Sequence, residues 1–156
     1  MANGKIVKKE EQAKEEIIEI LSFVLGSQEF ALEVDYVELV IEKSEITKVP
    51  NSKDFIQGVM NLRGRIVPVV NLTGVLNLDN SVEEYENVLV AKIDDMEVGF
   101  LVNEVKEVVR TKESDLDTSP KSEQYERKVK GIVQKGRRLI IYLDMKEIMN
   151  YCEGVR

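Results

Sequence analysis

The chain repeats itself. Read against itself at a shift of 68 positions, Leu21 falls on Leu89, Leu25 on Ile93, Phe30 on Val98, Leu32 on Phe100 and Val34 on Val102. The same shift lays Asp35 on Asn103, Val37 on Val105 and Val40 on Val108. Past the loop "TKESDLDTSPKSEQYERK" the shift becomes 73, and Gly58 meets Gly131, Val59 meets Ile132, Ile66 meets Leu139, Val70 meets Leu143, Asn71 meets Asp144 and Leu76 meets Met149. The turn glycine slips by one, Gly64 against Gly136. Apolar pattern, turn residues and order agree over about forty-five positions, as tandem copies of one supersecondary unit require.

Within a copy the punctuation is that of short strands. "IIEILSFVL" reads as a strand closed by Gly26 and Ser27. "EFALEV" alternates, with Phe30, Leu32 and Val34 on one face and Glu29, Ala31 and Glu33 on the other. Asp35 is placed to cap a single helical turn, with Glu38 as its reciprocal partner. Val37, Val40 and Ile41 then point inward from that turn and the next strand. "TKVPNSKDF" is a loop rich in turn residues. A hairpin ("GVMNLRGRIVPVVNL"), a short helix ("LTGVL") and a polar loop ("NLDNSVEEYE") follow. The second copy repeats the plan, with "GIVQKGRRLIIYLD" as its hairpin.

Each half thus supplies five strands, a helical turn after the second, and a terminal helix. Five strongly bent strands close more readily than they lie flat, because closure removes unpaired edges. The expectation is a mainly β protein of two small barrels, one over about 17–80 and one over about 85–152, behind a charged tail at 1–16. A barrel of roughly 65 residues is marginal alone, so the two should pack together and share an interior. A single large sandwich is the alternative.

Composition removes several functions. Histidine is absent and Cys152 is the single cysteine, which takes away the commonest general base, the commonest metal ligand and any multi-thiolate site. No phosphate loop and no GxGxxG occurs. No cofactor is implied. A net charge of −7 argues against nucleic acid or an anionic membrane surface as partner. No apolar run approaches the ~20 residues that cross a bilayer, and the N-terminus lacks an apolar signal core. With one cysteine, a small apolar filler near the end of a helix, these features point to the cytoplasm and to binding rather than catalysis.

The first hairpin asks for more explanation than folding provides. Gly64 supplies the positive φ that a tight ribbon needs. Nothing in the turn demands arginine, yet Arg63 and Arg65 flank it and could present a fork to carboxylates or carbonyls. Pro68 lies inside the second arm, which should therefore border an edge or a bulge there. The corresponding Ile141 carries no such restriction.

"GVMNLRGRIVPVVNL", preceded by "LSFVLGSQEFALEVDYVELV" and followed by "EVGFLVNEVKEVV" and "LIIYLDMKEIM", resembles the CheW family of bacterial chemotaxis coupling proteins from about Leu21 to Met149. The resemblance implies two intertwined five-stranded SH3-like β-barrels with short helical turns and a C-terminal helix. It implies a scaffold without catalytic activity that joins the cytoplasmic tip of chemoreceptors to the histidine kinase CheA. Receptor helices would be held along the apolar seam between the barrels, by Val37 on the capped turn, Arg63 on the hairpin tip, and Val105 and Val108 on the repeated turn. The regulatory domain of the kinase would take an outer face of the first barrel, at Ile46 and Val49 and at Gly58 and Met60. Residues 111–130 match no motif of the family.

Three other readings remain in view. A nucleic-acid-binding pair of small barrels would need a basic, aromatic-studded face. A carboxylate hydrolase would need two acids of opposed pKa in a cleft, and no spacing singles out such a pair. A fragment of the kinase itself would share the fold; Met1 and the missing ATP-binding motifs favour a free-standing adaptor.

Overall fold

A computed structural model of the protein describes residues 16–78, 85–118 and 127–154. The expected tail, apart from Glu16, the centre of the polar loop at 79–84 and residues 119–126 of the variable loop lie outside the described residues. In chain order the strands are β1 (Ile17–Leu25), β2 (Gln28–Glu33), β3 (Val37–Glu42), β4 (Ile56–Leu62) and β5 (Arg65–Val70), then helix α1 (Leu72–Val75). The second copy gives β6 (Asn87–Ile93), β7 (Met96–Val102), β8 (Glu104–Lys112), β9 (Val129–Lys135) and β10 (Arg138–Leu143), then helix α2 (Met145–Gly154).

The strands form two five-stranded sheets, ordered β8-β1-β2-β10-β9 and β3-β6-β7-β5-β4. The halves of the sequence are therefore not the barrels. Each copy leaves its sheet after two strands and builds the next three in the other, so the expected boundaries at about 17–80 and 85–152 do not coincide with either sheet. The exchange obeys the duplication. Phe23 pairs with Val105 as Ala91 pairs with Val37, and Tyr142 pairs with Ala31 as Val69 pairs with Gly99. Both sheets are closed by one device. The segment after β3 returns so that Thr47 bridges to Val59 on β4, and the segment after β8 returns so that Asp117 bridges to Ile132 on β9.

Exchange also decides burial. Ala31, expected to face outward, is fully buried, as are its neighbours Phe30 and Leu32. One face of β2 lines a small interior with Ile20, Val109, Val133, Ile140 and Tyr142. The other joins a larger core, with Phe23, Leu89, Phe100, Ile148 and the inner residues of the second sheet. Phe23 and Phe30 meet there with ring centroids 6.2 Å apart. Each such ring contributes roughly 1.5–3 kcal/mol by leaving water.

Local chemistry departs from expectation at the crossing. A 3-10 turn does form at Val34–Tyr36, but Glu33 occupies its N-cap and no side chain caps it, so Asp35 is not the cap. Val37 opens β3 directly, and strict alternation from it makes Leu39 and Ile41 half-buried and turns Val40 outward, with a bulge against β6 between Val37 and Leu39. The second copy has no turn at the matching place. Asn103 holds the chain there, donating its N–H to Val24 O at 2.9 Å and accepting from Gly26 N at 2.7 Å. The helix starts are true repeats: the Asn71 side chain accepts from Thr73 N, and the Asp144 side chain from Glu147 N.

Candidate interaction site

Both hairpins carry two-residue turns, but of opposite type. In the first, Leu62 pairs with Arg65, and both turn residues have positive φ, Arg63 at 52° and Gly64 at 86°. In the second, Lys135 pairs with Arg138, and only Gly136 has positive φ, at 62°. These are the type I′ and type II′ solutions, which need glycine-compatible backbone at different positions. That is why the turn glycine slips by one between the copies. It also leaves Arg63 in the left-handed region, where a residue with a Cβ is disfavoured by about 1 kcal/mol. The Asn61 side chain steadies the turn by accepting from Gly64 N at 2.8 Å. Arg63 is exposed, with no ion-pair partner among the described residues.

Behind each turn an arginine on the returning strand meets a glutamate across the sheet. Arg65 and Arg138 are copies of each other, and so are Glu97 and Glu29. In the second barrel Arg138 grips Glu29 through two nitrogens, Nε donating at 3.0 Å, and its Nη1 donates to Glu107 at 2.6 Å. Lys135 adds a contact to Glu107 at 3.2 Å. The Arg138 hydrogen bonds hold the Glu29 carboxyl below its ordinary range, against the opposing effect of burial. In the first barrel Arg65 Nη2 lies 3.1 Å from Glu97 Oε2 without hydrogen-bond geometry. The nearby Glu38 carboxyl and then burial push Glu97 above the ordinary range, against the pull of Arg65 and Lys92.

The residues expected at the seam divide between the sheets. Val37 and Val105 occupy equivalent positions, opposite Ala91 and Phe23, and both are half-buried against the large core. They sit on strand starts rather than helical turns. Val108 lies further along β8, 49% exposed, and its copy Val40 is 38% exposed on β3. Arg63 stands apart, at the end of the β4–β5 ribbon.

The outer-face residues gather around Thr47. Its N–H and C=O each bond Val59 at 2.8 Å, which puts Ile46 half-buried and Val49 exposed beside β4. Gly58 makes this possible. Its φ is +152°, and a Cβ there would stand 2.3 Å from Thr47 O. Its part is to let the segment close on the strand. Met60 points the other way, into the core at 2% exposure, so it offers a partner no surface, and Gln57, Val59 and Asn61 are the residues of β4 that face outward. Strand alternation alone would have placed Met60 inside. Sequence reasoning also missed Ile66 and Leu139, copies of each other and the most exposed large apolar residues described, at 65% and 53%. Their signal was present: each lies one residue beyond the clasp arginine, on the outward beat of its strand.

Within the described residues no three His, Cys, Asp or Glu side chains gather to hold a metal, and no helix is long and apolar enough to cross a membrane. The site is made of turns, strand edges and apolar side chains, the materials of a protein interface.

Comparison with known proteins agrees with this architecture. The CheW-like domain family matches residues 19–153. The chemotaxis protein CheW of Thermotoga maritima is 47% identical over 131 residues, covering 84% of this chain and 87% of that protein. The chemotaxis protein CheW of Bacillus subtilis is 28% identical over 134 residues, covering 84% and 86%. The crystal structure of the scaffolding protein TtCheW from Thermoanaerobacter tengcongensis superposes with a TM-score of 0.76 at 26% identity, covering 83% of this chain and 90% of that one. Twin SH3-like barrels, the duplicated hairpins and these likenesses lead to one conclusion: the chain belongs to the CheW family of non-catalytic chemotaxis scaffolding proteins.

Proposed function

We propose that the protein is an adaptor that couples chemoreceptors to the histidine kinase CheA, acting in the cytoplasm and drawn to membrane receptor arrays only through its protein partners. The observation that carries this reading is Arg63. A strained, exposed arginine, without an ion-pair partner among the described residues, holds a turn position where asparagine would fit better, so its guanidinium serves something outside the chain. Receptor helices lie against Val37 and Val105 at the core edge and against Val108, with Arg63 fixing their register. The kinase regulatory domain takes the edge at Ile46 and Val49, held in place by Gly58 and supported from beneath by Met60. No cofactor and no nucleic acid takes part.

Arg63→Asn separates folding from function. It places the favoured residue of a type I′ turn and should stabilise the hairpin by about 0.5–1 kcal/mol, a rise of roughly 2–4 °C in Tm for a chain of this size. Kinase activation by receptor in a reconstituted phosphorylation assay should fall at least tenfold. Full activation at an unchanged or higher Tm would refute the role of Arg63.

A further inference from the structure

The two clasps are copies, yet they do not hold alike, and the difference falls on the hairpin that bears Arg63. In the second barrel the returning strand β10 is stitched to β2 by backbone pairing over Ile140–Tyr142, and Arg138 adds its grip on Glu29 and Glu107. In the first barrel Pro68 has no N–H, and the pairing of β5 with β7 covers only Val69 and Val70. The arm from Arg65 to Pro68 thus runs past the end of that ladder. Among the described residues its one ion pair to β7 is that of Arg65 with Glu97. Beside the arm lies a cavity of about 390 Å3, lined by Pro68, Val70, Glu97 and Val98 and, from α2, by Met149 and Cys152. It opens where Val98 and Pro68 replace the bulkier Phe30 and Ile141 of the other copy.

The second barrel backs Arg138 with a second carboxylate, Glu107, whereas the first has Leu39 at the matching position, so that anchor is missing.

We propose that Arg65 and Glu97 are positioning residues that aim the Arg63 turn at the receptor. The inference rests on the receptor-facing role of Arg63 given above. On its β7 side the β4–β5 ribbon is thus held by that one ion pair and the two-residue Val69–Val70 ladder, where the second hairpin has three paired residues and an arginine bound to two carboxylates.

The test measures two affinities for each variant, one for a soluble fragment of a chemoreceptor's cytoplasmic hairpin and one for the isolated kinase regulatory domain. Glu97→Gln keeps shape and removes charge; it should weaken receptor binding about threefold to tenfold and leave kinase binding within twofold. Arg65→Lys, which keeps charge on a flexible stem, should lose less than Arg65→Gln. Glu29→Gln in the locked clasp should lower Tm without altering receptor affinity. If Arg63→Asn weakens receptor binding while Glu97→Gln and Arg65→Gln do not, or if those two weaken both partners equally, the positioning role is overturned. If Arg63→Asn itself leaves receptor binding intact, the underlying receptor reading fails instead. Should Glu97→Gln fail to fold, Arg65→Gln decides by the same criterion.

Discussion

The β4–β5 hairpin and the β9–β10 hairpin share one plan and have been put to different uses. Both pair a turn glycine with arginines, expose an apolar residue just behind the tip, and reach a glutamate on the neighbouring strand. The second spends its arginine on the fold: Arg138 is bound to two carboxylates, and its strand pairs with β2 over Ile140–Tyr142. Among the described residues the first leaves Arg63 without an ion-pair partner on left-handed backbone, shortens the supporting ladder beside Pro68, and gives Arg65 one ion pair. Every departure of the first copy lowers its contribution to folding and frees a donor or a surface.

The sharpest way to break the comparison lies at the bases of the hairpins. Gly58 and Gly131 are copies, but a Cβ at Gly58 would strike Thr47 O at 2.3 Å, whereas at Gly131 it would lie 3.2 Å from Asp117 O. Gly58→Ala should cost about 2–4 kcal/mol, from backbone strain and the forced opening of the barrel. Gly131→Ala should cost less than about half of that. Urea unfolding of the two variants measures both; equal losses would mean that the closures are equivalent.

Next comes the clasp. Arg138→Ala leaves Glu29, whose side chain is only 10% exposed, without its partner and should cost about 1–3 kcal/mol at pH 7. Arg65→Ala removes a pair whose arginine is 54% exposed and should cost below about 0.5 kcal/mol. The pH dependence has a sign. Because Glu29 is lowered in the fold, its contribution is present above the ordinary carboxylate value of 4.5 and is lost as pH falls through the lowered one. Glu97 is raised, so the fold favours its protonated form, and its ionisation detracts from stability as pH rises through the carboxylate range. The Arg138→Ala deficit should therefore shrink in acid, as unfolding at pH 7 and pH 3 would show.

Much of this was legible in the chain, for stated reasons. The duplication could be read because buried positions recur in register, and strand count and closure follow from it. The exchange of strands between barrels came only with the resemblance to intertwined barrels and not from the pattern, because alternation looks the same whichever copy supplies the neighbour. Ala31 shows the cost: a strand covered on both faces has no outward beat. Asp35 had the residue type of a cap but not the position, since Glu33 precedes the turn and a bulge follows it. Met60 was assigned to a surface on family resemblance, although Gly58, Met60 and Leu62 share the inward beat of β4. At Val37 and Val105 the resemblance and the strand pattern agree on the edge of the core.

Amide hydrogen exchange across both hairpins, with and without a soluble receptor cytoplasmic fragment, tests the division of labour most directly. Free of partner, Arg65 to Val67 should exchange at least about tenfold faster than Arg138 to Ile140, since a shorter ladder opens more readily. On adding the fragment the first set should slow and the second should not change. Equal exchange in the two hairpins, or protection confined to the second, would contradict the account.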